Sequence, residues 1–128
     1  MGKKLIINGA DFSANAVETD YSWITVLEGA VTSENKPDSK TITLIENLPE
    51  GTVTRLTQQV TGSSSGLIGI GAIDSDNIQH NTVWHDIIST NSGEVIDIKT
   101  LPFDMKSLLI WLEKPGITAT YKLEVGSV

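Results

Sequence analysis

Serines, several aspartates and two histidines, His80 and His85, give this chain the raw material of a nucleophilic triad. Such a triad needs a serine presented on a sharp turn, with its base in hydrogen-bond reach. Gly62-Ser63-Ser64-Ser65-Gly66 has the Gly-x-Ser-x-Gly spacing, but it is a low-complexity loop followed by a strand pattern rather than a helix. It is no nucleophile elbow, so the residues point away from an enzyme and offer no catalytic group. Metal chemistry fares no better. His80 and His85 are five apart, which on one strand sends them to opposite faces, and cysteine is absent. Asp74-Ser75-Asp76-Asn77 places oxygen donors at alternate positions, as calcium loops do. An EF-hand loop would need glycine where the chain has Gln79 and glutamate where it has His85. The segment reads as a polar turn. No metal and no cofactor is expected.

Sugar rings stack on exposed aromatic faces, which makes the tryptophans the remaining candidates for recognition chemistry. Tyr21 and Trp23 share one strand face, two residues apart, and Trp84 follows a polar loop. Asp86 and Asn91, close to Trp84 in sequence, are its natural hydrogen-bonding companions. These five residues form the candidate glycan site. Trp111 sits inside an apolar strand and reads as core or sheet packing. Large aromatics are more often buried than used for binding.

The elements that position these residues are strands. Ile96 and Ile98 alternate with Asp97 and Lys99, which predicts a strand with the isoleucines on its buried face. Ser107 to Glu113 is apolar on both faces, as in a central strand covered on both sides. Ala119, Tyr121, Leu123 and Val125 alternate with Thr118, Thr120, Lys122 and Glu124. Pro115-Gly116 suits a tight reversal, so the last two strands are expected to form an antiparallel hairpin. Upstream, Leu5 to Ile7, Trp23 to Val31, Thr41 to Glu46, Thr52 to Val60, Leu67 to Ile73 and Thr82 to Ile88 read as further strands. Gly29 is a bulge candidate, and the register of Thr52 to Val60 is blurred by a slip in its apolar phase. Gly69 and Gly71 share a face of their strand, and Gly62 to Gly66 reads as a hairpin loop. No helical period exceeds about two turns. Eight or nine short strands between Gly/Pro/Ser/Asn turns predict an all-β, antiparallel sandwich of jelly-roll type.

At 128 residues the chain has the length of one domain, spanning 1–128, and can bury a core without disulfides. The lack of cysteine favours folding in a cytoplasm, and the apolar run after Lys3-Lys4 is too short for a signal peptide. No run approaches the ~18 apolar residues of a membrane-spanning helix, so no membrane partner is expected. Nine basic against sixteen acidic residues leave a formal charge of −7, and the basic ones are scattered singly after Lys4. A phosphate-tracking surface needs them clustered, so no nucleic-acid partner is expected either.

Two stretches carry a resemblance. KLIINGADFSANAV resembles the opening of small modules in virion proteins of gut phages, including crAss-like phages. IDIKTLPFDMKSLLIWLEKPGITATYKLEV is similar to the end of jelly-roll modules found in phage appendages and in carbohydrate-binding and galactose-binding-like proteins. The resemblance implies a non-enzymatic virion component: a head fibre, capsid decoration or tail accessory protein, made in a bacterial cytoplasm. It implies partners among virion proteins and a homo-oligomer, with a trimer as the usual fibre symmetry. A carbohydrate-binding module using the exposed tryptophans is the alternative. The strand-like ends, Leu5 to Ile7 and Tyr121 to Val125, are expected to be exposed edges that invite pairing. Leu5, Ile6 and Ile7 cannot all face one core, so they and Phe12 are the expected assembly contact.

Overall fold

Alternation of apolar and polar side chains, interrupted by turn residues, makes every regular element among the described residues a strand. The computed structural model describes residues 4–7, 10–11, 21–62, 65–84 and 87–127, with side chains from residue 21 onward. Its strands are β1 (Lys4–Ile7), β2 (Ala10–Asp11), β3 (Ser22–Thr32), β4 (Asp38–Leu48), β5 (Val53–Gly62) and β6 (Leu67–Asp74). They continue with β7 (Gln79–His80), β8 (Ile87–Ser89), β9 (Val95–Thr100), β10 (Met105–Leu112) and β11 (Ile117–Ser127). Setting aside the two-residue β2 and β7, nine strands build the sandwich.

One sheet runs β2-β1-β9-β5-β11-β3 and the other β4-β10-β6-β7, with β8 also on β6. The pairing is nested. β3 lies on β11, β4 on β10, β5 on β9 and β6 on β8, all antiparallel. The eight strands from Ser22 onward therefore form a doubled hairpin rolled into two layers, the jelly roll. The one parallel pair is β1 with β9, with Lys4 opposite Val95 and Ile7 opposite Ile98.

Side chains from both layers close the core. Leu56, Ile68, Ile70, Leu108, Ile110, Leu112, Ile117 and Leu123 are buried. On β5 the inward residues are Thr54, Leu56, Gln58 and Val60. Two of these are polar, which is why the apolar phase of the strand looked broken in sequence. Thr54 Oγ1 accepts from Trp84 Nε1 at 3.0 Å and donates to the Lys99 carbonyl at 2.8 Å, so its hydroxyl is satisfied inside.

Several expectations are corrected. β10 and β11 do not pair with each other: β10 lies between β4 and β6, β11 between β5 and β3. The turn at Pro115-Gly116 forms, with φ of 81° at Gly116, but it carries the chain from one sheet to the other. A hairpin and an inter-sheet arch both require a reversal and both bring Leu112 and Ile117 to the core, so the residue pattern is the same for each. Residues 63–66 likewise join strands of different sheets rather than a hairpin. On β9 Ile96 and Ile98 are buried as expected, but the opposite face is buried as well. Val95 packs in the main core and Asp97, fully buried, shares the inward side with its partner Leu56. Ile96 and Ile98 lie on the outer side in a separate cluster with Trp23 and Val53. The bulge in β3 falls at Val26, between Thr25 and Leu27, not at Gly29. Gly29 instead leaves room for Tyr121, whose Oη lies 2.6 Å from where a Cβ would be. The segment from Thr82 becomes strand only at Ile87.

The termini also differ from expectation. β1 is flanked by β9 on one side and β2 on the other, and β11 lies in the middle of its sheet. Neither is an open edge. Position in sequence does not fix position in a sheet when the pairing is nested.

Candidate functional site

The turn after β6 is built by Asp74. Its Oδ1 accepts from the backbone N–H of Asp76 and of Ile78, both at 2.9 Å, and its Oδ2 pairs with His80 Nε2 at 2.8 Å. The His80 hydrogen bond first, and the backbone N–H of Ile78 second, hold the Asp74 carboxyl below its ordinary value of 3.8. Asn77 takes a left-handed φ of 67°, and Lys106 Nζ bonds its Oδ1. The His80 ring stacks on Phe103 with centroids 3.9 Å apart. The oxygens that suggested a calcium loop are thus engaged in closing a turn, and His80 serves as its clamp.

The outer face of the first sheet is polar. Arg55 forks onto Glu124, Nε to Oε1 and a terminal nitrogen to Oε2, each at 2.9 Å. The Arg55 guanidinium also lies 4.5 Å over the Trp23 ring, and the same ring crosses Gly126, where a Cβ would be 2.9 Å away. Tyr21 stands beside Trp23 at 5.4 Å, with the rings tilted by 46°. Trp23 is therefore half-buried and used to cover Arg55 and the Ile96–Ile98 cluster.

The outer face of the second sheet is different. Trp111 on β10 sits opposite Gly69 on β6 and Ser39 on β4, and Leu109 sits opposite Gly71. With no side chain at two neighbouring positions of β6, the face sinks into a groove of about 380 Å³. Trp111, Leu109 and Ile87 supply its apolar surface, and Trp111 is 37% exposed. Gln79 and Asn81 enter from the loop around β7. Gln79 Nε2 donates to Asn81 Oδ1 at 2.8 Å, and that same Oδ1 is 2.8 Å from where a Gly71 Cβ would lie. None of the described lining residues is ionisable.

The side of the sandwich is a third surface. β3 ends the first sheet and β4 ends the second, and the two are consecutive in the chain. The arch between them is fixed by Ser33, whose N–H donates to the Ile117 carbonyl at 3.0 Å and whose carbonyl accepts from Gly116 at 2.9 Å. Each edge is eleven residues long. Between Thr43 and Leu48, β4 bulges away from β10, and Ile45 on that bulge is 99% exposed. Together with Val26, Leu44, Leu48 and Glu46 it lines a small, mostly apolar hollow.

Of the residues proposed from sequence, Trp84 is corrected to a core residue. It is 3% exposed, with its nitrogen bonded to Thr54, and offers no face to a sugar. Asn91 is exposed in the turn after β8, its N–H donating to Ser89 Oγ at 3.3 Å. Asp86 and Phe12 lie outside the described residues, as do the side chains of Leu5, Ile6 and Ile7. Sequence reasoning assigned Trp111 to packing and so missed the groove. The signal was the apolar outer face of β10 opposite the paired glycines of β6.

No protein-family model and no curated protein sequence matches the chain. Among solved structures, a mutant of the family 29 carbohydrate-binding module CBM29-2 superposes with a TM-score of 0.52, at 12% identity, over 83% of this chain and 85% of that one. The likeness is one of fold. The SPBc2 prophage-derived protein YomS aligns at 21% identity over 84% of this chain and 94% of that one, with a TM-score of 0.48. A capsid chain of Helicobacter pylori bacteriophage KHP30 aligns at 10% identity, over 84% of this chain and 93% of that one, with a TM-score of 0.41.

Proposed function

We propose that this chain is a non-enzymatic structural protein of a phage virion, a head fibre, capsid decoration or tail accessory subunit, acting through contacts with further copies and with other virion proteins. The open side of the sandwich carries the reading. Two long edges end there together, and Ile45 projects at the rim of the hollow it shares with Val26, Leu44, Leu48 and Glu46. Each copy thus has both a projection and a recess, as a head-to-tail contact that closes into a ring requires. The charges of Asp38 and Lys40 near the start of β4 discourage indiscriminate strand pairing there, which confines association to the apolar end. This adds β3 and β4 to the assembly contact expected at Leu5, Ile6, Ile7 and Phe12. Light scattering on the purified chain should give a homo-oligomer, with a trimer the expected count, and Ile45→Asp should convert it to a folded monomer. A wild-type chain that stays monomeric and is missing from purified particles would refute the proposal.

A second reading, glycan recognition, is favoured by one observation besides the fold likeness to a carbohydrate-binding module: the exposure of Trp111 in an uncharged groove.

A further inference from the structure

The groove on the second sheet has a composition that selects its ligand. The protein carries a formal charge of −7, yet no described residue of this groove is ionisable. A charged ligand would find no counter-charge among these described residues, a cost that grows as it leaves water. A purely apolar ligand would strand the amides of Gln79 and Asn81. What matches is a molecule with one apolar face and a rim of neutral hydroxyls. We infer that the groove between Trp111 and Asn81 binds a neutral hexopyranose unit, its C–H face against Trp111 and Leu109 and its hydroxyls toward Gln79, Asn81 and Ser39. This rests on the glycan reading above and gives it a location different from the Tyr21–Trp23 and Trp84 surfaces.

Three features fit that assignment. Gly69 lowers the sheet surface beside Trp111, while Asn81 packs over Gly71, so a ring can approach the backbone at Gly69 with the β7 loop as its wall. The Gln79–Asn81 bond fixes two amide groups against each other while using only one donor and one acceptor atom. Asn81 keeps its NH₂ and Gln79 its carbonyl oxygen outside that bond, a donor and an acceptor for vicinal hydroxyls. The volume, about 380 Å³, lies at the lower end of the range for small-molecule sites and suits one or two sugar units rather than a long chain held along its length.

The test uses the full chain on an array of neutral, sialylated and sulfated glycans, followed by calorimetry with the best neutral oligosaccharide. Retention of at least one neutral glycan is expected, weakened tenfold or more by Trp111→Ala and by Asn81→Ala, with Trp23→Ala binding as wild type. Circular dichroism and melting temperature establish that the variants are folded. Should Trp111→Ala unfold, Gln79→Ala in the exposed loop provides the same readout. Absence of any glycan binding would overturn the glycan reading itself. Binding lost in Trp23→Ala but retained in Trp111→Ala would overturn only this location. Binding restricted to acidic glycans, or a Trp111→Ala variant whose sole defect is loss of oligomer, would also overturn the inference.

Discussion

At the scale of single residues, Asp74 shows how the fold turns charge into stability. Its carboxyl titrates below the ordinary value of 3.8 because the folded state supplies His80 and two backbone N–H groups to the charged form. The unfolded chain takes up the proton at the ordinary value, the folded chain only at lower pH. The stabilisation is therefore complete above about 3.8 and lost as pH falls from there through the folded value. In urea titrations Asp74→Asn should be less stable than wild type at neutral pH, and the gap should close only as pH falls below about 3.8. A gap that stays constant into acid would remove the carboxylate from the account. Trp84 makes the opposite contribution, through burial. Trp84→Ala should cost about 3–5 kcal/mol of unfolding free energy, since it empties a core site and removes the bond that Thr54 Oγ1 accepts. A loss near 1 kcal/mol would return Trp84 to the surface.

At the scale of elements, the informative strands are β10 and β1. β10 buries Leu108, Ile110 and Leu112 between its neighbours, and Ile110→Ala should cost about 2–5 kcal/mol in a denaturant titration. Leu109 and Trp111 on its other face have no covering layer among the described residues, so Trp111→Ala should cost less than about 1 kcal/mol. That contrast within one strand is the stability counterpart of the binding test. β1 completes the sheet beyond β9 by a parallel ladder of four residues. Deleting residues 1–11 would uncover the backbone of β9 beside the fully buried Asp97. The expected result is a lower melting temperature and aggregation of the truncated chain, rather than a stable protein that has lost only its assembly contact. A truncated chain with unchanged melting behaviour would show β1 to be dispensable.

At the scale of the whole molecule, the two sheets divide the surfaces. The outer face of the first is occupied by its own residues, through the Arg55–Glu124 fork, Trp23 and the Ile96–Ile98 cluster. The outer face of the second holds the uncharged groove, and the side where β3 and β4 end holds Ile45. If that side is the subunit interface, Ile45→Asp should lower the mass seen by light scattering while leaving the melting curve of the monomer within a few degrees. It should not alter glycan retention, because the groove faces another direction. Simultaneous loss of both properties would mean that oligomer contacts complete the sugar site.

Sequence alone determined the local terms. Alternation marked most strands, glycine and proline marked the turns at Gly51, Gly93 and Gly116, each of which has positive φ, and the strand count and layering implied a jelly roll. Those features depend on neighbours a few residues apart, where period and turn chemistry leave few choices. Partnership was decided by tertiary structure. Whether a reversal makes a hairpin or an arch, which face of β9 points inward, and whether Trp84 or Trp111 meets solvent all depend on strands up to a hundred residues away in the chain. A two-residue period names two faces but does not say which one is covered. Asp97 could be buried because the fold brought Gln58 to it, Nε2 donating at 3.5 Å, and Trp111 could be exposed because Gly69, opposite it, offers no side chain to cover it.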